Sequence, residues 1–594
     1  MCGVAAIFER TGAPVDEASL RRLGDGIRHR GPDDSGVALD GPAGLMSYRF
    51  ALEDIEHGRQ PARFGAWTVA WNGEIFNWRE IADHYNLPDV TGDTTLLPRL
   101  LDKLDIEAFT ELDGQFAVAA WEAATGRLVL ARDPAGILPM HYTLNAQRLA
   151  AASELRALAR WLPSTTYDDA AMSRFLRLGY WQPPDTPLAE VRQLEPGAML
   201  VVNETATAHR RFYRPAPNPT FTGSVEDAGV RLAELMVDAT ARRISTAAPT
   251  GLFLSGGVDS ALIAASLKKI GRDLPAYCVG FEGTAPTAGY HFEDGFEKSI
   301  EQYNEFAEAA ETAKCLRMHP PTKVRADELM LIDELGAVVD TLDEPCMSIS
   351  APPLYLLTKD ASRTIRVALS GGGADELFAG YAHVDPTRYA NAPSVVRRYL
   401  ELTEVFTPDE MERIGAASVE PARDLSRTLP EGVANAADVG LSPLSFILIA
   451  ERLGPLAHNI LHKNDRIGMH WPLEMRYPFL DRRIIDFAES LPDDLQTGPD
   501  GGKAVVKAAA RHLGLPASVT DRKKIRLQAP YATYLSDARV EAFFERVIAH
   551  ETDDRPRLFD PQRARDYLFG PMSAKVWRRP AKILLLATWN LWRP

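Results

Sequence analysis

The chain has 594 residues, with 66 Lys+Arg against 81 Asp+Glu and a formal net charge of −15. At roughly 100–200 residues per domain this length allows several domains and a sizeable core, and a composition 45% hydrophobic and 25% charged excludes wholesale disorder, a collagen-like fibre and a disulfide scaffold. The acidic balance argues against nucleic acid or an anionic membrane as partner, while leaving room for a local site that takes a phosphate-bearing ligand.

Four cysteines, Cys2, Cys278, Cys315 and Cys346, show neither C-x-x-C nor Cys/His zinc spacing. So few thiols in so long a chain fit a reducing compartment. The start, Met1-Cys2-Gly3-Val4-Ala5, has no basic segment and no long apolar run, so no secretory signal is expected. The longest late apolar stretch, Ile583 to Ala587, is far below the ~20 residues that cross a bilayer. The expectation is a cytoplasmic protein.

In chain order, apolar spacing near 3.6 predicts helices over 18–26 and 95–104. Short β-rich runs fall at 66–71, 115–121 and 127–131, separated by Gly, Asn and Asp. This reads as an α+β unit with sheet packed on sheet. Arg214-Pro215-Ala216-Pro217-Asn218-Pro219-Thr220 forbids a helix and marks an extended linker. The predicted organisation is a first domain over 2–213, a linker over 214–224 and a second domain over 225–594. Beyond the seam come a helix at 225–244, a strand at 251–254, a Gly loop, a helix at 261–269 and a strand at 274–281. A strand at 364–369 then runs into a second Gly loop. Strand–loop–helix alternation predicts a parallel α/β sheet with helices on its faces. From about Asp385 the pattern is mostly helical. There is no internal repeat and no low-complexity tract.

Cys2 follows the initiator methionine, which is usually removed before a small residue. A mature chain beginning with cysteine carries a thiol and a free α-amine on one residue. The amine, with a reference pKa of ~8, can take the thiol proton directly or through water, which is the N-terminal-nucleophile arrangement. On position alone, a cysteine is more often a small buried hydrophobe. The neighbouring motifs shift that reading. His29-Arg30-Gly31-Pro32-Asp33-Asp34-Ser35-Gly36 is polar and turn-rich, and Arg49 follows a short apolar segment. Asn72-Gly73-Glu74 ends a strand-like run, where a backbone N–H and an amide side chain suit an oxyanion; an isolated N-G-E reads more simply as a hairpin turn. Asp93 lies in Thr91-Gly92-Asp93-Thr94-Thr95. An arginine for a carboxylate and acids for an ammonium suit a free amino acid.

Taken in order, Cys2-Gly3-Val4, R-H-R-G-P-D-x-x-G, Arg49, N-G-E at 72–74, Gly92-Asp93, Arg132 to Pro139 and Ser153 to Leu158 resemble the class II glutamine amidotransferase domain over about residues 2–200. The resemblance implies a four-layered αββα N-terminal-nucleophile fold. It implies that Cys2 attacks the side-chain amide of glutamine, that Asn72 and Gly73 hold the oxyanion, and that Arg49, Glu74 and Asp93 grip the glutamine backbone groups. One departure is Thr95, where relatives often carry an acid.

Ser255-Gly256-Gly257-Val258-Asp259-Ser260 follows a strand and precedes a helix. Its glycines let backbone approach a ligand, and a helix N-terminus favours phosphate. Ser255 and Ser260 can donate to phosphate oxygens. Asp259 repels phosphate unless a cation lies between, which points to Mg²⁺. The spacing is not that of a Walker A loop. It looks like the signature of N-type ATP pyrophosphatases, which cut ATP to AMP and pyrophosphate and activate a carboxylate as its adenylate. The second loop, Ser370-Gly371-Gly372-Gly373-Ala374-Asp375-Glu376, resembles that of the asparagine synthetase family, which couples both loops to a class II glutaminase. By this resemblance Leu254, Val279, Ser370 and Gly371 line the ATP site, beside Gly256 and Gly257, and Asp259 with Asp375 holds the metal. Glu474 to Asp481 matches the family's E-x-R-x-P-F-L-D stretch, and Gly502-Lys503 with Lys507 matches G-K-x-x-x-K. Lys503 is the candidate that neutralises pyrophosphate and the adenylation transition state. Arg522-Lys523-Lys524 either adds charge there or is a solvated helix face.

The match departs at Gly372, where asparagine synthetases generally carry glutamate and β-lactam synthetases tyrosine. The segment from Glu282 to Ser299 is long, and Leu316-Arg317-Met318-His319-Pro320 replaces the usual flank. Both changes lie where the acceptor acid should bind. The expected function is an ATP-dependent, glutamine-hydrolysing, amide-forming ligase, with aspartate to asparagine as the leading reaction. A family-level homodimer and an internal ammonia channel go with it. One alternative is an amide-forming cyclase of the β-lactam synthetase or lasso-peptide type, which has no need of Cys2. The other is a non-enzymatic scaffold with decayed sites, which the intact loops disfavour.

Overall fold

A computed structural model describes residues 2–282, 304–390, 392–417, 441–498, 502–522, 529–550, 557–571, 573 and 576–594. The long segment after Phe281 falls almost wholly outside the described residues, as do Lys523 and Lys524.

The first unit holds two antiparallel six-stranded sheets. One contains β1 (Gly3–Glu9), β2 (Asp34–Asp40), β3 (Ala43–Arg49), β8 (His141–Leu144), β9 (Arg148–Ala152) and β10 (Arg192–Gln193), in the order β10-β8-β9-β1-β3-β2. The other contains β4 (Ala62–Phe64), β5 (Trp67–Ile75), β6 (Gly114–Glu122), β7 (Arg127–Arg132), β11 (Ala198–Val202) and β12 (Thr207–Arg211), in the order β12-β11-β7-β6-β5-β4. Strand periodicity builds the layers. In β6, Phe116, Val118 and Ala120 face the helix Asp93–Leu104, whereas Ala117, Ala119 and Trp121 face the opposite sheet. Alanine on that inner face lets the two sheets approach closely. Helices Glu17–Asp25 and Leu155–Trp161 cover the outer face of the first sheet. The result is helix, sheet, sheet, helix. The strands expected at 66–71, 115–121 and 127–131 are β5, β6 and β7, and both expected helices form.

The linker residues 214–224 carry no helix or strand. Their backbone runs along the second unit, with Asn218 N–H donating to Glu489 O at 2.9 Å. The helix Val225–Arg242 starts where Ser224 and Asp227 exchange caps: the Ser224 hydroxyl accepts the Asp227 N–H, and the Asp227 carboxylate accepts the Ser224 N–H.

The second unit is built on a parallel sheet of β13 (Thr250–Phe253), β14 (Ala276–Phe281), β15 (Thr322–Ala326), β16 (Val367–Leu369) and β17 (Glu474–Arg476), ordered β15-β14-β13-β16-β17. Helices Val225–Arg242, Val258–Lys269 and Ala504–His512 pack together; Ala351–Ala361 lies against β14 and β15, and Leu461–His470 against β17. The chain winds outward from β13 to β15, returns to β16 and continues the other way. The strand order therefore reverses between β13 and β16. In such sheets ligands bind beyond the carboxyl ends of the strands at that reversal. The Ser255–Gly257 loop leaves β13, and the Ser370–Gly373 loop leaves β16. Sequence periodicity did not find β15 or β17. Three residues of β17 inside a helical stretch are too short for any period to register.

Candidate active sites

In the first unit, β1 and β5 bring Cys2 and Asn72 together from 70 positions apart: the Cys2 N–H donates to Asn72 Oδ1. Asn72 is wholly buried, and its Nδ2 has no hydrogen-bond partner among the described residues. A buried donor left unpaired is costly unless a ligand completes it. Asn72-Gly73-Glu74 is not a turn. It lies inside β5, paired with Ala117, Phe116 and Gln115 of β6. Gly73 has φ +142°, and a Cβ there would lie 1.9 Å from Gln115 O, so only glycine fits.

Cys2 is 5% exposed. Burial pushes its thiol above the usual range, while the Phe50 backbone N–H and the Arg49 guanidinium pull it down. Arg49 is fixed by carbonyls: Nη1 donates to Ile55 O at 3.0 Å, and Nη2 to Asp54 O at 2.8 Å. Asp93 accepts the Ile75 and Thr94 N–H groups at 3.1 and 2.7 Å. Burial pushes its carboxyl up to about 6. Glu74 is raised well above the carboxylate range, first by burial, then by Asp93, Glu474 and Glu53, against the lowering by Arg476. Thr95 acts on the adjoining turn: its hydroxyl accepts the Thr91 and Gly92 N–H groups at 2.9 and 3.1 Å, shaping the backbone that presents Asp93.

Sequence reasoning missed Gln60. Its Nε2 donates toward Cys2 Sγ at 3.9 Å, and its Oε1 accepts the Trp71 N–H at 2.7 Å. It links the thiol to the strand that carries Asn72. The residue type alone carries no signal for this; only the fold of the Gly58-to-Pro61 turn against β5 reveals it.

In the second unit the two glycine loops touch. A Cβ on Gly371 would lie 3.0 Å from Asp259 Cβ and 3.2 Å from Ser260 N. The Ser255 and Ser260 hydroxyls shape the first loop from within: Ser260 Oγ accepts the Ser255 N–H at 3.0 Å, and Ser255 Oγ accepts the Gly257 N–H at 3.1 Å. Leu254 and Val279 are buried in the core at the end of β13 and within β14. Asp259 and Asp375 converge on one point, held by Lys503 Nζ at 2.5 and 2.7 Å. Burial works against the Lys503 charge, but the two carboxylates hold it above the usual lysine range. Two carboxylates sharing a cation seat fit Mg²⁺, which takes one or two protein carboxylates and completes its octahedron with phosphates and water. Among the described residues no three His, Cys, Asp or Glu side chains form a metal-binding group. Arg522 ties the first loop to the helix Phe306–Cys315: Nη1 donates to Gly256 O at 3.4 Å, to Glu308 O at 2.9 Å and to Thr312 Oγ1 at 3.1 Å.

Gly372 is backed by a ring. A Cβ there would lie 3.1 Å from Tyr477 Cδ1, and the Tyr477 hydroxyl accepts Asn464 Nδ2 at 3.1 Å. The next residue back, Lys463, is buried, and burial pushes its ammonium down to about 8.

The two units meet through buried charge. Arg30 donates from Nε to the Cys2 carbonyl at 3.2 Å, and from Nη1 and Nη2 to Asp465 at 2.9 and 2.7 Å. Arg30 is 0% and Asp465 3% exposed. Arg30 Nη1 also donates to Glu154 Oε1 at 2.8 Å, and Asp465 also accepts Arg466 Nη1 at 2.8 Å, so losing Asp465 takes one of two carboxylate partners from each arginine, at about 1.5–3 kcal/mol. Asp465→Ala is expected to lower unfolding stability by that order in a denaturant titration, with both units affected together.

Residues 231–593 match the family model described as Asparagine synthase, and residues 1–213 match the Glutamine amidotransferase domain. The chain belongs to the asparagine synthase family. Among its relatives in the family, asparagine synthetase [glutamine-hydrolyzing] 1 of Bacillus subtilis is 28% identical, over 93% of this chain and 91% of that protein. A putative asparagine synthetase [glutamine-hydrolyzing] of Mycobacterium tuberculosis is 28% identical over 90% and 88%. Asparagine synthetase [glutamine-hydrolyzing] 1 of Saccharomyces cerevisiae is 25% identical over 85% and 78%. The family match spans both catalytic units in the order in which the fold presents them. No described helix is long and apolar enough to cross a membrane.

Proposed function

We propose that the chain is an ATP-dependent, glutamine-hydrolysing amidotransferase that converts a carboxylic acid to its amide. The observation that carries this reading is the pairing, in one chain, of a buried thiol beside an unpartnered amide donor with two touching glycine loops at a sheet reversal. Cys2 Sγ attacks the side-chain amide carbon of glutamine. Asn72 Nδ2 and the Gly73 N–H take the developing oxyanion. The C–N bond breaks, ammonia leaves with the proton taken from the thiol, and water cleaves the γ-glutamyl thioester to glutamate. Arg49 takes the substrate carboxylate, and Glu74 with Asp93 takes its ammonium.

At the second site the acceptor carboxylate attacks the α-phosphorus of ATP and releases pyrophosphate. Leu254, Val279, Ser255, Gly256, Gly257, Ser260, Ser370 and Gly371 form the nucleotide's surroundings. Asp259 and Asp375 would hold Mg²⁺, which would supply charge neutralisation to the phosphates, and Lys503 beside them would neutralise the pyrophosphate. Ammonia reaches the acyl adenylate within the protein and displaces AMP. Aspartate is the leading acceptor. The open backbone at Gly372, closed by Tyr477 and not by an acidic side chain, leaves a related acid as the second choice. Cytoplasmic location and a homodimer belong to the same reading.

The test is stoichiometric. With glutamine, Mg·ATP and a panel of amino and carboxylic acids, glutamate, AMP and pyrophosphate should appear together with one acid. ATP cleavage without glutamate from glutamine would favour a cyclase, and no cleavage with any acid would defeat the reading. Asn72→Ala is expected to lower kcat for glutamine hydrolysis by about 10²–10³, with ammonia-dependent turnover unchanged in the same assay.

A further inference from the structure

Strand β17 belongs to the nucleotide-binding unit, yet its side chains end in the glutamine site. Arg476 is 1% exposed. Its Nη2 lies 3.1 Å from Glu74 Oε1, its Nε donates to Glu474 Oε1 at 2.6 Å, and Glu53 Oε1 stands 3.8 Å from Nη1. Nη1 also donates to Arg243 O at 3.2 Å. The backbone carbonyl of the same residue accepts the N–H of Ser370, which opens the second glycine loop, at 2.9 Å. One residue therefore touches Glu74 with its side chain and the ATP loop with its main chain.

We propose that Arg476 is a positioning residue of the glutamine site, supplied by the other unit, and that it aims the Glu74 carboxylate at the substrate ammonium. The inference rests on the function proposed above and extends it to a residue outside the amidotransferase domain.

The charges around Glu74 require such a cation. Glu53 comes from the turn after β3, Asp93 from the start of helix Asp93–Leu104, and Glu474 from β17; all three add negative potential, and Arg476 opposes them. Among the described residues, Arg476 is the cation within 4 Å of Glu74. Without it, the one opposing charge is gone, and burial with three neighbouring acids pushes Glu74 still further toward its neutral form, which does not pair with an ammonium. The Sγ, the Asn72 donor and the Gly73 backbone are untouched by the change. The defect is therefore one of glutamine binding and not of the chemical step.

The decisive measurement is glutaminase kinetics on the full chain across pH, with glutamate release as readout and ammonia-dependent AMP formation as control. Arg476→Met is expected to raise the KM for glutamine about tenfold or more, since the cation paired with Glu74 is lost, with a much smaller change in kcat. The carboxylate is the form present above the pKa of Glu74, so the KM of the variant should recover as pH rises. Arg476→Lys retains the charge and should restore much of the KM. The double variant Arg476→Met/Glu74→Gln should be no worse than Glu74→Gln alone, because both changes act on one carboxylate. If Arg476→Met does not fold, Arg476→Gln, which keeps polar groups in the site but removes the charge, must still raise KM. An unchanged KM, or independent losses that add in the double variant, would overturn the proposal. A wild-type chain that releases no glutamate from glutamine would defeat the underlying function instead.

Discussion

Cys2→Ala is expected to abolish glutamine-dependent turnover while turnover with free ammonia persists. In the proposed function the thiol is the nucleophile of the first half-reaction, and its described neighbours Gln60 and Arg49, a neutral amide and a cation, do not replace it. Loss of a nucleophile removes the covalent route entirely, on the order of 10⁶ in kcat where such residues have been deleted singly. The two glycine loops proposed to adenylate the acceptor lie in another unit, so ammonia supplied from solution enters the sequence after the missing step. The check is glutamate and AMP release measured side by side with glutamine and with an ammonium salt. Equal loss with both donors would show that the thiol serves more than glutamine hydrolysis.

The second large effect is at the nucleotide. Asp259→Ala is expected to remove AMP and pyrophosphate formation while glutamine hydrolysis continues. Asp259 stands at the start of helix Val258–Lys269, against Gly371, and holds Lys503 together with Asp375. Its removal takes away one of the two carboxylates proposed to carry Mg²⁺ and frees Lys503 from one of its two anchors. Binding of Mg·ATP, measured by calorimetry, should weaken in step with turnover. Undiminished AMP production would show that Asp375 alone meets the cation requirement. The two variants together divide the enzyme into halves, each defective where the other is intact.

Much of the site was legible because its residues are contiguous. The run Ser255 to Ser260 carries its own strand exit, glycines and helix start, and the structure places it where that pattern implies. Cys2 was legible from its position at the chain start. Asn72-Gly73-Glu74, taken alone, reads as a turn, and the structure overturns that. Its place inside β5 depends on Gly73 adopting φ +142° against Gln115 O, a contact with β6 some forty residues away. Gln60, Asp465 and Arg476 gave no local signal. Each acquires its role from a partner on another strand or in the other unit.

The chain order of motifs, the period-2 runs of the first unit and the strand–loop–helix rhythm of the second were sufficient for two domains, a sandwich, a parallel sheet and a glycine loop between strand and helix. Those features are governed by interactions among neighbours along the chain. Which unit completes which site was decided only in three dimensions. The pairing of Arg30 with Asp465, and of Arg476 with Glu74, joins residues about four hundred positions apart. Such a pairing exists only after register, sheet order and domain docking are all set, because a buried charge is tolerated only where a distant partner has been brought to meet it.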